Sequence, residues 1–170
     1  VANDIFDVGA EINGGLSYTG TFGPVGLVAN FSPENNQDAV GIGAKFGIGG
    51  FSIGLGAEDR ADQQNAAAGV SFTAAGASIA AHFWTQEAAA GGDLESMSVK
   101  VGYGFGGVSA GLTFSTLQND ATTDEEAIRL DLGYDLGGGM DVSTRITAKS
   151  NNNDSTADNT AWRLKLSKSF

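Results

Sequence analysis

Apolar residues recur at every second position through almost the whole of this chain, in runs of about ten residues that stop at a turn or polar loop and start again. From Val8 the set is Val8, Ala10, Ile12, Gly14, Leu16 and Tyr18, with Asp7, Glu11, Asn13 and Ser17 between them. After a turn at Thr21 to Pro24 the phase switches to Val25, Leu27, Ala29 and Phe31. Val40, Ile42, Ala44, Phe46 and Ile48 reach Gly49-Gly50 and return as Phe51, Ile53, Leu55 and Ala57. The same rhythm passes through turns around Ala75-Gly76, Gly106-Gly107 and Gly137 to Gly139, and ends on AWRLKLSKSF, Ala161 to Phe170. A period of two is the signature of strands with one greasy and one wet face. The spacing predicts about eleven strands and no helix.

Two regularities narrow the class. Short glycine turns alternate with longer polar loops at Ser32 to Asp38, Arg60 to Asn65, Gln86 to Asp93, Gln118 to Glu126 and Ser150 to Thr160. Strands of about ten residues, with short turns at one end and long loops at the other, are what an antiparallel barrel crossing a bilayer requires. Aromatics gather beside the short turns: Tyr18, Phe22, Phe46, Phe51, Phe72, Tyr103, Phe105 and Tyr134, as in an interfacial girdle. Glycines such as Gly41, Gly43, Gly47, Gly54, Gly56, Gly102, Gly104 and Gly111 fall on the opposite face, where a wet lumen needs no large side chains. The expectation is an all-β protein, an antiparallel transmembrane β-barrel, with residues 1–170 as one domain.

Composition removes other classes. The chain has 170 residues, 9 Lys+Arg against 20 Asp+Glu and a formal charge of −11, so there is no basic surplus for nucleic acid. It has no cysteine, which excludes disulfides, thiolate nucleophiles and Cys-ligated metals. No apolar stretch is long enough for a transmembrane helix, and VANDIFDV lacks the charged and apolar regions of a secretion signal.

Charge placement by parity is the most informative step for function. Lys45, Arg60, Lys100, Arg129, Arg145, Lys149, Arg163 and Lys165 all fall on the face opposite the apolar set, and Lys168 does not. A cation on the lipid side near the midplane would cost about 2–4 kcal/mol. Arg129, Arg145, Arg163 and Lys165 lie on three consecutive strands and are expected to form one positive patch on an inner wall, while most acids lie in loops or on the first strand. Such charge patches set ion selectivity in a pore.

The closing strand, ending on Phe170, resembles the C-terminal signature of bacterial outer-membrane β-barrels. The segment GYDLGGGMDVSTRITAKSNNNDSTADNTAWRLKLSKSF resembles the last three strands of alphaproteobacterial general porins. That resemblance implies a sixteen-stranded barrel in the outer membrane, assembled as a homotrimer and surrounded by lipid. It implies passive diffusion of small hydrophilic solutes and ions, with wall roles for Arg129, Arg145, Arg163 and Lys165 facing acids on an inward-folded constriction loop. No segment matches that loop, and Val1 to Phe6 reads as its tail. An odd strand count, with the first strand beginning on the long-loop side, leads to the expectation that the chain is the C-terminal portion of a larger porin, without its N-terminal strands and constriction loop.

Other signals are weaker. Gly102, Gly104 and Gly107 spell G-x-G-x-x-G, but a strand follows where a dinucleotide site needs a helix. His82 faces the wet side with no nucleophile at a suggestive spacing, and Trp84 shares its face. The Asn/Asp-rich loops could ligate Ca²⁺ but lack EF-hand spacing, so no cofactor and no enzymatic activity are expected. Two other classes are a barrel acting as an anchor or as a phage or adhesion receptor through its loops, and a soluble glycine-rich β protein.

Overall fold

Backbone groups inside hydrocarbon must find all their partners within the protein, and a continuous antiparallel ladder is one of the few arrangements that does this. The structure, a computed structural model, describes residues 15–33, 38–88, 92–119, 123–151 and 158–169. They form eleven strands: β1 (Leu16–Phe22), β2 (Val25–Ser32), β3 (Ala39–Ile48), β4 (Phe51–Arg60), β5 (Gln63–Ala74), β6 (Ala77–Ala88), β7 (Leu94–Phe105), β8 (Val108–Asn119), β9 (Thr123–Gly137), β10 (Met140–Asn151) and β11 (Asn159–Lys168). All belong to one sheet in chain order, each antiparallel to the next, with β1 and β11 at the two edges.

The short turns have the chemistry that tight hairpins demand. Gly49 and Gly50 have φ of 55° and 84°, and Gly106 and Gly107 have 56° and 83°, the left-handed pair of a type I′ turn. Ala75, with φ 49°, stands where the other turns have glycine. Successive turns are stitched together: the carbonyls of Pro24, Gly50, Gly76, Gly107 and Gly139 accept from the backbone N–H of Gly47, Thr73, Gly104, Asp135 and Ser169 at 2.8–3.0 Å. Each hairpin therefore hands a hydrogen bond to the next at this rim.

Pairing register fixes the two faces. Leu130 is opposite Leu112 and Ile146, and Ile146 is opposite Trp162; Leu132 is opposite Ala110. These side chains share one face and are exposed, as are Tyr18, Phe51, Phe72, Tyr103, Phe105 and Tyr134 of the aromatic set, whereas Ala67 is the buried hydrophobic residue found among the described residues. An apolar face this large would drive aggregation in water; in hydrocarbon it is the solvated face. The core of this protein is the ladder itself rather than a packed interior.

Two expectations need correction. Arg60 to Asn65 is not a long loop: Arg60 ends β4, Gln63 opens β5, and only Ala61 and Asp62 form the turn. Strict alternation of short turns with long loops therefore fails at this point. Strands also run into the other polar segments, with Gln86 and Glu87 in β6, Gln118 in β8, Glu125 in β9 and Ser150 in β10. The reason is that a strand leaving the membrane keeps its ladder while its side chains turn polar, so hydropathy marks the edge of the lipid rather than the end of the strand. Val1 to Phe6, Val8 to Gly14, the central parts of the Asn/Asp-rich loops and Phe170 lie outside the described residues.

Candidate functional site: the charged face of the sheet

The polar face is built from the even positions of β6 and β7 and the odd positions of β8 to β11, and register turns those positions into rows across the strands. One row runs Arg163, Arg145, Asp131, Gly111, Gly102 and Ser78 across β11 to β6. The next row towards the loop end contains Ala161, Thr147, Arg129, Thr113 and Lys100. On the turn side, Lys165 lies opposite Ser143, which lies opposite Gly133. Arg129, Arg145, Arg163, Lys165 and Lys100 are thus brought onto one area of wall. Lys149, opposite Asn159 and Ala127, lies one row beyond Arg129.

Lys45 and Arg60 share this face but stand apart from that area, on β3 and β4: Lys45 is opposite Gly26 and Gly54, and Arg60 is opposite Ala39 and Gln63. His82 and Trp84 also lie on the polar face, opposite Gly69 and Ala67 of β5. Among the described residues no cluster of His, Cys, Asp or Glu could hold a metal ion.

The wall has internal acids, contrary to the expectation that acids lie mostly in loops or on the first strand. Asp131 accepts from Arg129 Nε through Oδ2 at 2.8 Å and from Arg145 Nε through Oδ1 at 2.6 Å. Arg129 and Asp131 are two apart on one strand and so point the same way; Arg145 is the cross-strand neighbour of Asp131. Arg145 faces Arg163 directly on its other side, with Cβ atoms about 5 Å apart and like charges opposed, and Asp131 supplies the counter-charge from β9. A second pair sits on β4, where Arg60 Nε donates to Glu58 Oε1 at 2.6 Å and the carboxylate side chain is only 3% exposed. Both acids were legible in principle from the R-x-D and E-x-R spacing, which on a strand puts the two charges on one side.

Between β6 and β11 the wall is recessed by about 480 Å³, bordered by Lys100, Arg129, Asp131, Arg145 and Arg163. Its floor is small-residue backbone at Gly102, Gly111 and Gly133, with Ser78, Ser109 and Ser143 around it. Lys100 leans across this floor, its Cε 3.7 Å from the place a Cβ on Gly111 would occupy, with the Asp131 Cβ 4.0 Å from the same place. The arrangement offers fixed cations and hydroxyls beside open space, and no nucleophile paired with a base.

Known proteins share this fold. A family model described as Gram-negative porin matches residues 2–167. No curated protein sequence matches the chain. Among solved structures, a refined porin structure is similar at 20% identity and a TM-score of 0.78, over 95% of this chain and 63% of that one. An anion-selective porin from Comamonas acidovorans is similar at 16% identity and 0.69, over 85% and 52%. OmpT, an outer membrane protein of Vibrio cholerae, is similar at 15% and 0.62, over 90% and 59%. The chain spans between about half and two thirds of the length of these structures. Identities at this level establish the common fold, an antiparallel barrel wall. With the family model covering nearly all of its residues and one sheet presenting an oily and a charged face, the chain belongs to the Gram-negative porin family and is a β-barrel protein of the outer membrane.

Proposed function

We propose that this protein forms a water-filled channel for passive diffusion of small hydrophilic solutes and ions, and that Arg129, Arg145, Arg163, Lys165, Lys149, Lys45, Lys100 and Arg60 line it. The observation that carries this reading is the segregation of the two faces. The apolar side chains of every strand are exposed on one side. The cations of β3, β4, β7, β9 and β10, with Arg163 and Lys165 of β11, are collected on the other, over a floor rich in glycine. An enzyme would need convergent acid, base and nucleophile, and the charged wall instead offers a gradient of fixed charge along which polar solutes move without bond chemistry.

The finer reading is that these strands are the C-terminal part of a sixteen-stranded barrel of the alphaproteobacterial general type, assembled as a homotrimer. It is supported by the odd number of strands and the free edges of β1 and β11 among the described residues, and by the share of the solved porins that the chain spans. No cofactor or catalytic step is part of this function.

Planar-bilayer recording of the intact porin tests it. Ohmic, long-lived steps of current in KCl are the expected result, and neutral sugars should equilibrate into vesicles carrying the protein. Electrically silent insertion would replace this reading with that of an anchor or receptor acting through its loops.

A further inference from the structure

The recess between β6 and β11 has more structure than free diffusion requires. Four cations, Lys100, Arg129, Arg145 and Arg163, border it against one carboxylate, Asp131. That carboxylate is engaged by Arg129 and Arg145 together. Lys100 and Arg163 form no ion pair among the described residues, and Arg163 is exposed beside Arg145. Within the second row, the Thr113 hydroxyl, flanked across the strands by Lys100 and Arg129, is buried without a hydrogen-bond partner among the described residues.

Chloride would use the charge of such a wall but not its shape. Guanidinium forks and hydroxyls present several donors in fixed directions, which suits an anion with several acceptor oxygens. The glycine floor at Gly102, Gly111 and Gly133 leaves the volume for it, and Asp131 holds two of the arginines in place before any solute arrives.

We propose that this recess is a saturable subsite for phosphate-bearing solutes, in which Arg163 and Lys100 supply the unneutralised charge and Asp131 acts as an internal counter-ion that a bound phosphate displaces from Arg129 and Arg145. The proposal rests on the channel reading and adds a substrate class to it. A porin with this subsite passes phosphate by binding and release, and phosphate competes with chloride for the wall. Asp131 sets the strength of that competition because it occupies the same guanidinium donors.

The test uses the intact porin in planar bilayers, with KCl held constant and inorganic phosphate raised on one side. Chloride current is expected to fall along a saturating curve. The Arg163→Gln/Lys100→Gln variant should raise the half-saturating phosphate concentration by about tenfold or more, the loss expected for charge-assisted hydrogen bonds. Asp131→Asn should lower it, because Arg129 and Arg145 are released to the solute. Lys168→Gln, on the apolar face opposite Met140, should leave it unchanged. A chloride current that phosphate changes only in linear proportion overturns the subsite and leaves the channel standing, as does saturation that none of the wall variants moves. A protein that passes no current in KCl overturns the channel reading and the subsite with it.

Discussion

Arg60 donates through Nε to the Oε1 of Glu58 at 2.6 Å, two positions away on the same strand, and the carboxylate it covers is almost fully buried in the polar face. Removing the guanidinium leaves a charge with neither water nor partner. Arg60→Ala is expected to destabilise the folded barrel by about 1–3 kcal/mol, the cost of an unsatisfied buried polar group, whereas the Glu58→Gln/Arg60→Gln double variant should cost less than Arg60→Ala alone. Urea unfolding of the protein refolded in lipid vesicles measures both; additive losses would contradict the coupling.

The two tryptophans report the two faces. Trp162 is 76% exposed among the apolar side chains of β11, and Trp84 of β6 lies on the polar face opposite Ala67 and Ser96. In vesicles containing brominated lipid, the fluorescence of a variant retaining only Trp162 should be strongly quenched. A variant retaining only Trp84 should respond instead to a water-soluble quencher. The reverse result would mean that the sheet faces lipid with its charged side.

Leu132 lies in the middle of the apolar face of β9, while Thr113 of the adjacent strand points to the wall. Leu132→Arg should cost about 2–4 kcal/mol if the site is near the bilayer midplane. Ser115→Arg, two residues beyond Thr113 on that same wall face and opposite Ser98 and Ala127, should cost far less and should shift the zero-current potential in a KCl gradient towards anion preference. Equal losses of stability for the two would be incompatible with the sidedness described above.

Ala75 occupies a left-handed turn position at φ 49°, next to Gly76 at φ 82°. Ala75→Gly should stabilise the hairpin by about 0.5 kcal/mol, the left-handed strain of a side chain being partly offset by the greater chain entropy of glycine. Gly76→Ala should do the opposite, costing about 1–2 kcal/mol or more. Its Cβ would press on the Gly104 carbonyl, whose residue donates the stitching hydrogen bond to Gly76. Unfolding midpoints in vesicles distinguish the two signs.

The turn at Gly49-Gly50 and the alternation of Val40 to Ile48 with Phe51 to Ala57 were legible because positive φ and period two leave direct marks on residue type. Arg60 to Asn65 was misread for the complementary reason: Gln63 and Asn65 are polar because they extend past the lipid on the wet face, where Gln63 Nε2 donates to Asn65 Oδ1 at 2.9 Å, and nothing in their hydropathy separates a strand from a loop. The pair of Arg145 with Asp131 has no mark in the local sequence, because register chooses it. Arg145 and Asp131 are fourteen residues apart, and only the pairing of β9 with β10, with its irregularity at Met140/Asp141, brings them level.

Which side of each strand is oily, where the tight turns fall and which face collects cations all follow from local order in the sequence, because side-chain direction alternates with every residue of an extended chain. The partners across the strands, the pinning of Arg129 and Arg145 by Asp131, the burial of Glu58 and the recess over Gly111 were decided by the sheet alone. Those features depend on how far each strand slides against its neighbour, and a period of two repeats identically for every even shift, so the sequence pattern cannot select among them.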